Sequence, residues 1–287
     1  MLTFTVPLTM KPINLKTFLA QQHVSATAYK KLKYAGLCSV NTVITHSNVL
    51  LQPGDIVTLT LPPETTTLEP LAGPLDIIYE DEHLLVVNKP AGLLTHPTVK
   101  ESKSLANIVA GYFRQTKQSC GMHPVSRLDK ETSGLVIFAK NSLAHHLLTE
   151  QQISKEYLGL VQGLPTPPVG TISAPLARKS GSIIQREVNF LTGQHATTDY
   201  EVLGSNGDIA LVHFLLHTGR THQIRVHCAY LGHPLMGDNL YGTPGPPSRH
   251  LLHAARLTLW KPFTGEKLVF NSPLPTDMCY NITTKNF

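Results

Sequence analysis

The strongest constraint on the fold is the stretch 123–135, HPVSRLDKETSGL, where a polar turn leads straight into the apolar run LVIFA. Consecutive apolar residues with β-branched and aromatic members predict a buried strand, and Gly134 at its start indicates tight backbone geometry. If the preceding residues are extended, Arg127 and Asp129 share one face and Leu128 points into the core. The stretch therefore predicts either a catalytic floor at the end of a buried strand or an ordinary surface ion pair.

Composition narrows the class of protein. The chain has 287 residues and is 41% hydrophobic, which predicts one large domain, alone or with a small one. The net charge of +5 favours a polyanionic partner such as nucleic acid. No apolar run approaches a membrane span, and we expect neither a signal peptide nor a membrane partner. Four scattered cysteines without a CxxC pair predict reduced thiols, a cytoplasmic location and no zinc site.

Residues 1–63 are predicted to form a separate small α/β unit. Ser25 has the position of an N-cap for a helix that ends at Gly36, and strands are expected near residues 37–40 and 56–59. Three lysines crowd this short helix, namely Lys30, Lys31 and Lys33. They predict either phosphate contacts with a nucleic acid or a solvated helix face.

A proline-rich linker over residues 64–74 is predicted to precede a second unit, residues 75–287. In that unit strand-like runs alternate irregularly with short helical patterns, including a helix expected over 105–113. The predicted fold class is α+β: a mixed, largely antiparallel sheet with peripheral helices.

A second dense group of polar residues is TGRTHQIRVHCAYLGHPLMGDNLYG, residues 218–242. Thr221 is predicted to cap a helix there, with Arg225 apart from its apolar stripe and Arg220 near its start, where free N–H groups attract anions. The stripe is predicted to be Ile224, Cys228 and Leu231. The group is either a site for a phosphate or carboxylate, such as that of Asp129, or a capped helix with surface charges.

Several chemistries lack their motifs in this sequence. There is no GxGxxG or GxxxxGK[ST] loop, no HExxH and no GxSxG, so we expect no nucleotide cofactor, no metal and no serine nucleophile. His222 and His227 are interpreted as structural histidines.

Five segments together resemble the pseudouridine synthases of the RluA type. They are NKPAGLLTHP (88–97), SRLDKETSGLVIFAKN (126–141), KEYLGLV (155–161), the group at 218–242 and LLHAARLTLWKPFTGE (251–266). Residues 1–63 resemble the small RNA-binding module first seen in a small-subunit ribosomal protein (the S-four type), with Thr42 where that module usually has Gly. One departure from the family is Ser126, where many members have His.

The resemblance implies isomerisation of uridine to pseudouridine in RNA, without a cofactor or a metal. It implies that Asp129 is the catalytic carboxylate, which attacks the anomeric carbon or removes a sugar proton. Arg225 would be the partner of Asp129, holding it by paired hydrogen bonds, and Tyr157 would pack against the uracil and help remove the carbon 5 proton. Arg127 would fill the space that the flipped uridine leaves.

The resemblance leaves the substrate open. Structured RNA, ribosomal RNA first and transfer RNA second, is the expected partner, with Arg127, Arg220 and the three lysines in contact with it. A non-catalytic RNA-binding or ribosome-assembly factor and a hydrolase of the same glycosidic bond are the alternatives from other classes. We expect a monomer.

Overall fold

The computed structural model describes residues 1–280 and 282–284. The N-terminal part contains two helices and six short strands. They are β1 (Leu2–Thr5), β2 (Ile13–Asn14), α1 (Leu15–Gln21), α2 (Ala26–Tyr34), β3 (Cys38–Val40), β4 (Val43–Ile44), β5 (Leu50–Leu51) and β6 (Ile56–Leu59). Four strands form a sheet in the order β1-β6-β3-β4, and β2 pairs with β5. The predicted cap is confirmed, since the Ser25 hydroxyl accepts a hydrogen bond from the Ala28 N–H at 3.2 Å.

The turn between β3 and β4 has two residues in left-handed conformations, Asn41 at φ 48° and Thr42 at φ 72°. Such turns suit the twist of a two-residue hairpin, although a β-branched residue is disfavoured at positive φ. The side chain of Asn41 stabilises the turn, because it accepts from the Ile56 N–H and donates to Asp55, at 2.8 and 2.7 Å. The contacts of Asn41 thus hold the turn although Thr42, at positive φ, occupies a position where glycine would be unstrained.

The remainder is built on one large sheet with three helices. Its elements are β7 (Asp76–Glu80), β8 (Leu84–Lys89), α3 (Leu105–Gln115), β9 (His123–Pro124), β10 (Ser133–Ala139), α4 (Ser142–Glu150), β11 (Ser154–Gln162), β12 (Val169–Ser173), β13 (Leu176–Arg178), β14 (Arg186–Val188), β15 (Thr197–Ser205), β16 (Ile209–Leu216), α5 (Gln223–Tyr230), β17 (Leu252–Trp260), β18 (Lys267–Asn271), a 3₁₀ turn (Thr276–Met278) and β19 (Thr283–Thr284).

The main sheet runs in the order β12-β15-β16-β11-β17-β10-β8-β7, and β18, β19 and β9 extend it from β17, β15 and β10. The pairing of β10 with β17 is parallel, whereas the other neighbouring strands along this order pair in antiparallel fashion. The mixed α+β class predicted from the sequence is therefore confirmed. No helix among the described residues is both long enough and apolar enough to cross a membrane.

Strand β10 lies at the centre of the core, and all seven of its residues are buried. Gly134 has φ +112°, and a Cβ atom there would lie 2.3 Å from the carbonyl oxygen of Ala254. Because such a distance is far inside van der Waals contact, only glycine allows β10 to approach β17 this closely. The tight geometry predicted at Gly134 is confirmed, and it fixes the start of the strand that carries the polar turn.

The N-terminal part and the large sheet share apolar contacts. Leu143 of α4 is 4% exposed and belongs to the N-terminal apolar cluster, together with Phe18 and Leu19. Glu64 accepts hydrogen bonds from the backbone and the hydroxyl of Ser142, at 2.9 and 2.8 Å. The predicted linker region thus contacts the residue that starts α4.

Two local predictions are wrong. The helix in 218–242 begins at Gln223 rather than at a Thr221 cap, because His222 adopts the left-handed conformation at φ 59°. The side chain of Gln223 instead accepts from the Arg220 N–H at 2.9 Å. Leu231 is 37% exposed, since the helix ends at Tyr230, so it does not continue the buried stripe.

Candidate active site

One pocket brings together five residues singled out in the sequence. Asp129 lies in the loop before β10, Tyr157 lies on β11, and Arg225 lies on α5; Arg127 and Arg220 complete this part of the lining. Residues far apart in the chain therefore meet beside the central strands of the main sheet. The lysines of α2 are not part of the pocket.

Buried side chains hold the loop residues immediately before and after Asp129. The hydroxyl of Thr95 donates to the Leu128 carbonyl at 2.9 Å and accepts from the Leu128 N–H at 3.1 Å. Lys89, which is fully buried, donates to three backbone carbonyls, and that of Lys130 is 3.0 Å away. Burial lowers the pKa of Lys89 to about 7, while three acceptors match the three donors of its ammonium form. The backbone on both sides of Asp129 is therefore fixed.

Two histidines hold the end of the same loop. His250 Nε2 lies 2.7 Å from the Thr132 hydroxyl, and His253 Nδ1 lies 2.9 Å from the Ser133 hydroxyl. Burial lowers the pKa of both imidazoles, so they are neutral at pH 7 and each ring nitrogen can donate or accept one hydrogen bond. These contacts join the loop to β17 and its preceding residues.

Arg225 bridges two carboxylates. Its Nε and Nη2 donate to the two oxygens of Asp238, both at 2.8 Å, and its Nη1 donates to Asp129 Oδ2 at 3.1 Å. The side chain of Asp238 is fully buried and that of Arg225 is 9% exposed. The sequence predicts paired hydrogen bonds from Arg225 to Asp129, but the planar fork engages Asp238, and Asp129 receives one N–H.

The two oxygens of Asp129 differ in their surroundings. Oδ2 accepts from Arg225 and lies 3.7 Å from His222 Nε2. Within residues 1–280 and 282–284, Oδ1 has no hydrogen-bond donor, and the side chain is 27% exposed to the pocket. One oxygen is thus held in place while the other is available to a substrate.

Tyr241 connects this arrangement to a neighbouring strand. Its ring lies against the Arg225 guanidinium, 5.1 Å from centroid to Cζ, and its hydroxyl accepts from the Arg186 N–H at 2.8 Å. The hydroxyl also lies 2.7 Å from His222 Nδ1. When it donates to that nitrogen, the imidazole proton is on Nε2, which lies 3.7 Å from Asp129 Oδ2. Burial lowers the pKa of His222, which favours the neutral imidazole at pH 7.

Tyr157 presents its hydroxyl to the pocket without a hydrogen-bond partner among the described residues. Burial, and then the negative charge of Asp129, raise the pKa of the phenol well above its ordinary value. The hydroxyl therefore stays protonated at neutral pH and can donate a hydrogen bond. It can accept a proton only if its own proton moves elsewhere.

Three other predicted residues have distinct surroundings. The Ser126 hydroxyl, at the position where the family resemblance leads us to expect His, is buried and accepts from the Ile137 N–H at 3.2 Å. Arg127 is exposed at the pocket rim. Arg220 is also exposed, and its Nε donates to the His195 carbonyl at 3.0 Å.

The three lysines of α2 are not equivalent. Lys30 and Lys31 are exposed, while Lys33 is half-buried with its Nζ 4.8 Å from the centroid of the Tyr34 ring. A cation over an aromatic face is stabilised there. Lys30 and Lys31 are therefore the two ammonium groups most open to an external anion.

Sequence reasoning misses the residues that support Asp129. Asp238 lies in the polar group 218–242, but no spacing rule relates it to Arg225. Lys89 lies in the segment NKPAGLLTHP, where a lysine beside proline is typical of a surface loop. The sequence analysis interprets His222 as structural and does not predict that it lies close to Asp129. The two residues are far apart in the sequence, so no local pattern relates them.

Comparisons with known proteins identify the family of this chain. A family model described as RNA pseudouridylate synthase matches residues 83–230. YjbO of Bacillus subtilis (strain 168), named an uncharacterized RNA pseudouridine synthase, is 37% identical over 285 residues, 96% of this chain and 100% of that protein. Ribosomal large subunit pseudouridine synthase D of Zymomonas mobilis is 36% identical over 248 residues, covering 78% of this chain and 77% of the relative.

A solved structure gives the same result. The human protein RNA Pseudouridylate Synthase Domain Containing 1 is 29% identical, with a TM-score of 0.58 over 73% of this chain and 86% of the human chain. The family model spans the Asp129 loop, β11 and α5, which are the elements that build the pocket. The chain therefore belongs to the RNA pseudouridylate synthase family and is an RNA-modifying isomerase.

Proposed function

We propose that this enzyme converts specific uridines to pseudouridine in ribosomal RNA, with Asp129 as the catalytic group. The observation that carries the proposal is the placement of Asp129 Oδ2 3.1 Å from Arg225 Nη1, in a pocket that Tyr157 also lines. A positioned carboxylate beside an aromatic ring suits a reaction at a sugar carbon that bears a flat base.

The reaction is an isomerisation in which no atom is gained or lost overall. The bond between the anomeric carbon and uracil N1 breaks, and a bond between that carbon and carbon 5 forms. Carbon 5 then gives up its proton and N1 gains one. The protein must therefore cleave a glycosidic bond, retain the free base while it turns, and move one proton.

Asp129 begins the reaction through Oδ1, the oxygen that accepts no hydrogen bond from the described residues. Oδ1 either attacks the anomeric carbon or removes a sugar proton, and Arg225 and His222 face Oδ2 in both cases. Because Arg225 also binds Asp238 through two hydrogen bonds, the guanidinium cannot turn away from its place. The carboxylate is thus oriented before substrate arrives.

Tyr157 acts on the base. Its ring is buried in the pocket wall, where it can pack against uracil, and its hydroxyl takes part in removing the carbon 5 proton. Since the phenol is protonated at neutral pH, proton removal requires that its own proton pass to a second acceptor, and Asp129 is the carboxylate in the same pocket.

A uridine inside folded RNA must leave its stack to reach Asp129, at a cost of a few kcal/mol. Arg127 is exposed at the rim of the pocket, where its side chain can occupy the space that the uridine leaves. The guanidinium can also bind the phosphate backbone there.

Ribosomal RNA is our first choice of substrate for two reasons. One relative with 36% identity is named as a ribosomal large subunit enzyme. The N-terminal elements also follow the order expected of an S-four-type RNA-binding module, residues 1–63, with Lys30 and Lys31 exposed on α2. In this proposal that module supplies affinity for structured RNA, residues 75–287 supply the chemistry, and the protein works as a monomer in the cytoplasm.

The test is a map of pseudouridine at single-nucleotide resolution in all cellular RNA, with and without the gene. We expect loss of one or a few pseudouridines from ribosomal RNA, restored by the wild-type gene and not by a gene carrying Asp129→Asn. Loss from transfer RNA alone would contradict the choice of substrate. Free uracil released by the purified enzyme would indicate hydrolysis, and RNA binding without either product would indicate an assembly factor.

A further inference from the structure

A polar groove lies beside the active-site pocket and has no role in the chemistry above. It lies between the hairpin β13–β14 and the turn before α5. Its polar lining, which we call the arginine groove, consists of Arg178, Arg186, Arg220, Thr192, Gln194 and Thr221. Arg220 lines both the groove and the active-site pocket, so the two spaces lie on either side of one side chain.

Two of these arginines face each other directly. Arg178 and Arg186 are cross-strand partners in the antiparallel pair β13–β14, so their side chains lie on the same face. Glu187 is the adjacent acidic residue, and strand alternation places it on the opposite face. Like charges placed opposite one another destabilise a sheet, which makes this pair costly unless an anion lies between them.

Among the described residues, no carboxylate forms an ion pair with these arginines. In the chain as far as it is described, residues 1–280 and 282–284, the arginines in ion pairs are Arg225, Arg249 and Arg256. The three arginines of the groove are absent from this set. Their charges are therefore available to an external group.

The groove is held rigidly by the same residues that build the active site. The Arg186 N–H donates to the hydroxyl of Tyr241, which packs on Arg225. The Arg220 N–H donates to Gln223, whose amide nitrogen donates in turn to the Thr198 hydroxyl at 2.9 Å. An anion bound in the groove would therefore have a fixed position relative to the catalytic residues.

We propose that the arginine groove binds a phosphodiester of the RNA strand next to the target uridine. Guanidinium groups bind phosphate oxygens through paired, charge-assisted hydrogen bonds, and the threonine hydroxyls and the glutamine amide supply further donors. Because Arg220 lines both the pocket and the groove, a strand that places a uridine at Asp129 can carry its adjoining phosphate past Arg220 into the groove. The proposal rests on the proposed function for the identity of the strand.

The experiment measures binding of a short fluorescein-labelled oligouridylate by anisotropy over a range of salt concentrations. Arg178→Gln, Arg186→Gln and the double variant are compared with wild type and with Arg114→Gln/Lys117→Gln. That control removes two exposed charges at the end of α3, away from both the groove and the active site. We expect the double variant to bind at least about tenfold more weakly, with a salt slope smaller by about 0.7 for each phosphate that is no longer neutralised.

A double variant that matches the control in both affinity and salt slope would overturn the proposal. Because Arg186 is half-buried, thermal denaturation checks that each variant folds, and the exposed Arg178→Gln supplies the test alone if Arg186→Gln is unstable. Inorganic phosphate should raise the melting temperature of wild type more than that of Arg178→Gln. An equal rise in both would contradict an anion site at this pair.

The binding assay needs no turnover, so the two proposals fail separately. If the double variant loses affinity and salt slope but the wild-type protein forms no pseudouridine, the groove proposal is supported and the proposed function is refuted. If wild type forms pseudouridine and the double variant keeps the wild-type salt slope of binding, only the groove proposal is refuted.

Discussion

Asp238 is the residue whose replacement tests the architecture of the site most sharply. Its carboxylate is fully buried and accepts two hydrogen bonds from Arg225 at 2.8 Å. It also accepts from the backbone N–H groups of Leu240 and Tyr241, at 3.1 and 3.2 Å. Asp238→Asn keeps the shape and one acceptor oxygen, but it removes the charge and sets an amide against the guanidinium.

The expected magnitude follows from this burial. Removing one partner of a buried ion pair destabilises a protein by about 3–5 kcal/mol, and the retained acceptor places this variant near about 3 kcal/mol. For a domain of this size that is a fall of about 6–12 °C in melting temperature. Arg225, freed on one side, would turn its fork to Asp129 and occupy both of its oxygens, so kcat should fall by roughly 100-fold.

Differential scanning calorimetry and single-turnover kinetics measure the two effects. Asp208→Asn is the matched control, because Asp208 is exposed and lies outside the ion pairs that the described residues form; this variant should behave as wild type. A folded Asp238→Asn protein with wild-type melting temperature and wild-type turnover would refute the claim that this ion pair positions the catalytic carboxylate.

The same variant carries a prediction about pH. Burial opposes ionisation of Asp238, but the hydrogen bonds and charge of Arg225 prevail and lower its pKa. A carboxylate with a lowered folded-state pKa contributes stability above its ordinary pKa of about 4, and this is lost as the pH falls through the folded value. The melting-temperature gap between wild type and Asp238→Asn should be full at pH 7 and should narrow below about pH 4. A constant gap would contradict this linkage.

Three further predictions concern two side chains of the pocket and the lysines of α2. Arg225→Lys should lower kcat by roughly 100-fold, since a lysine offers one point charge where the guanidinium bridges two carboxylates; a fully active variant would exclude the bridge. Tyr157→Phe should slow single-turnover product formation by roughly 10² to 10⁴; a fully active Phe variant would exclude proton transfer through the hydroxyl. Replacing Lys30, Lys31 and Lys33 with Gln should weaken binding to structured RNA and lower the salt slope of binding by about 0.7–0.9 for each phosphate left without a lysine. This variant should still convert a short substrate at saturating concentration. An equal loss of turnover on that short substrate would contradict a purely RNA-binding role.

Local patterns predict the scaffold better than the interactions within the site. The apolar run after Gly134 predicts a buried strand, and Ser25 predicts a helix cap, because both depend on a few neighbouring residues. The predicted start of α5 is wrong because the left-handed residue is His222, and positive φ at a non-glycine residue has only a weak sequence signal.

The interactions of the site depend on long-range folding. Arg225 and Asp129 are 96 positions apart, and in the sequence only the family resemblance joins them. Asp238 cannot be assigned from sequence, because it lies in a loop where its partner is set by how α5 packs on the sheet. The opposed pair of Arg178 and Arg186 likewise depends on strand register, which neither strand of three residues specifies alone.

The central claim is that Asp129 carries the chemistry. Its most direct test is pseudouridine formation in a single turnover, with excess enzyme and ribosomal RNA from cells that lack the gene. We expect conversion by wild type and by Asp208→Asn, and none by Asp129→Asn, which should still bind the RNA with nearly wild-type affinity. Substantial conversion by a folded Asp129→Asn protein would contradict the account.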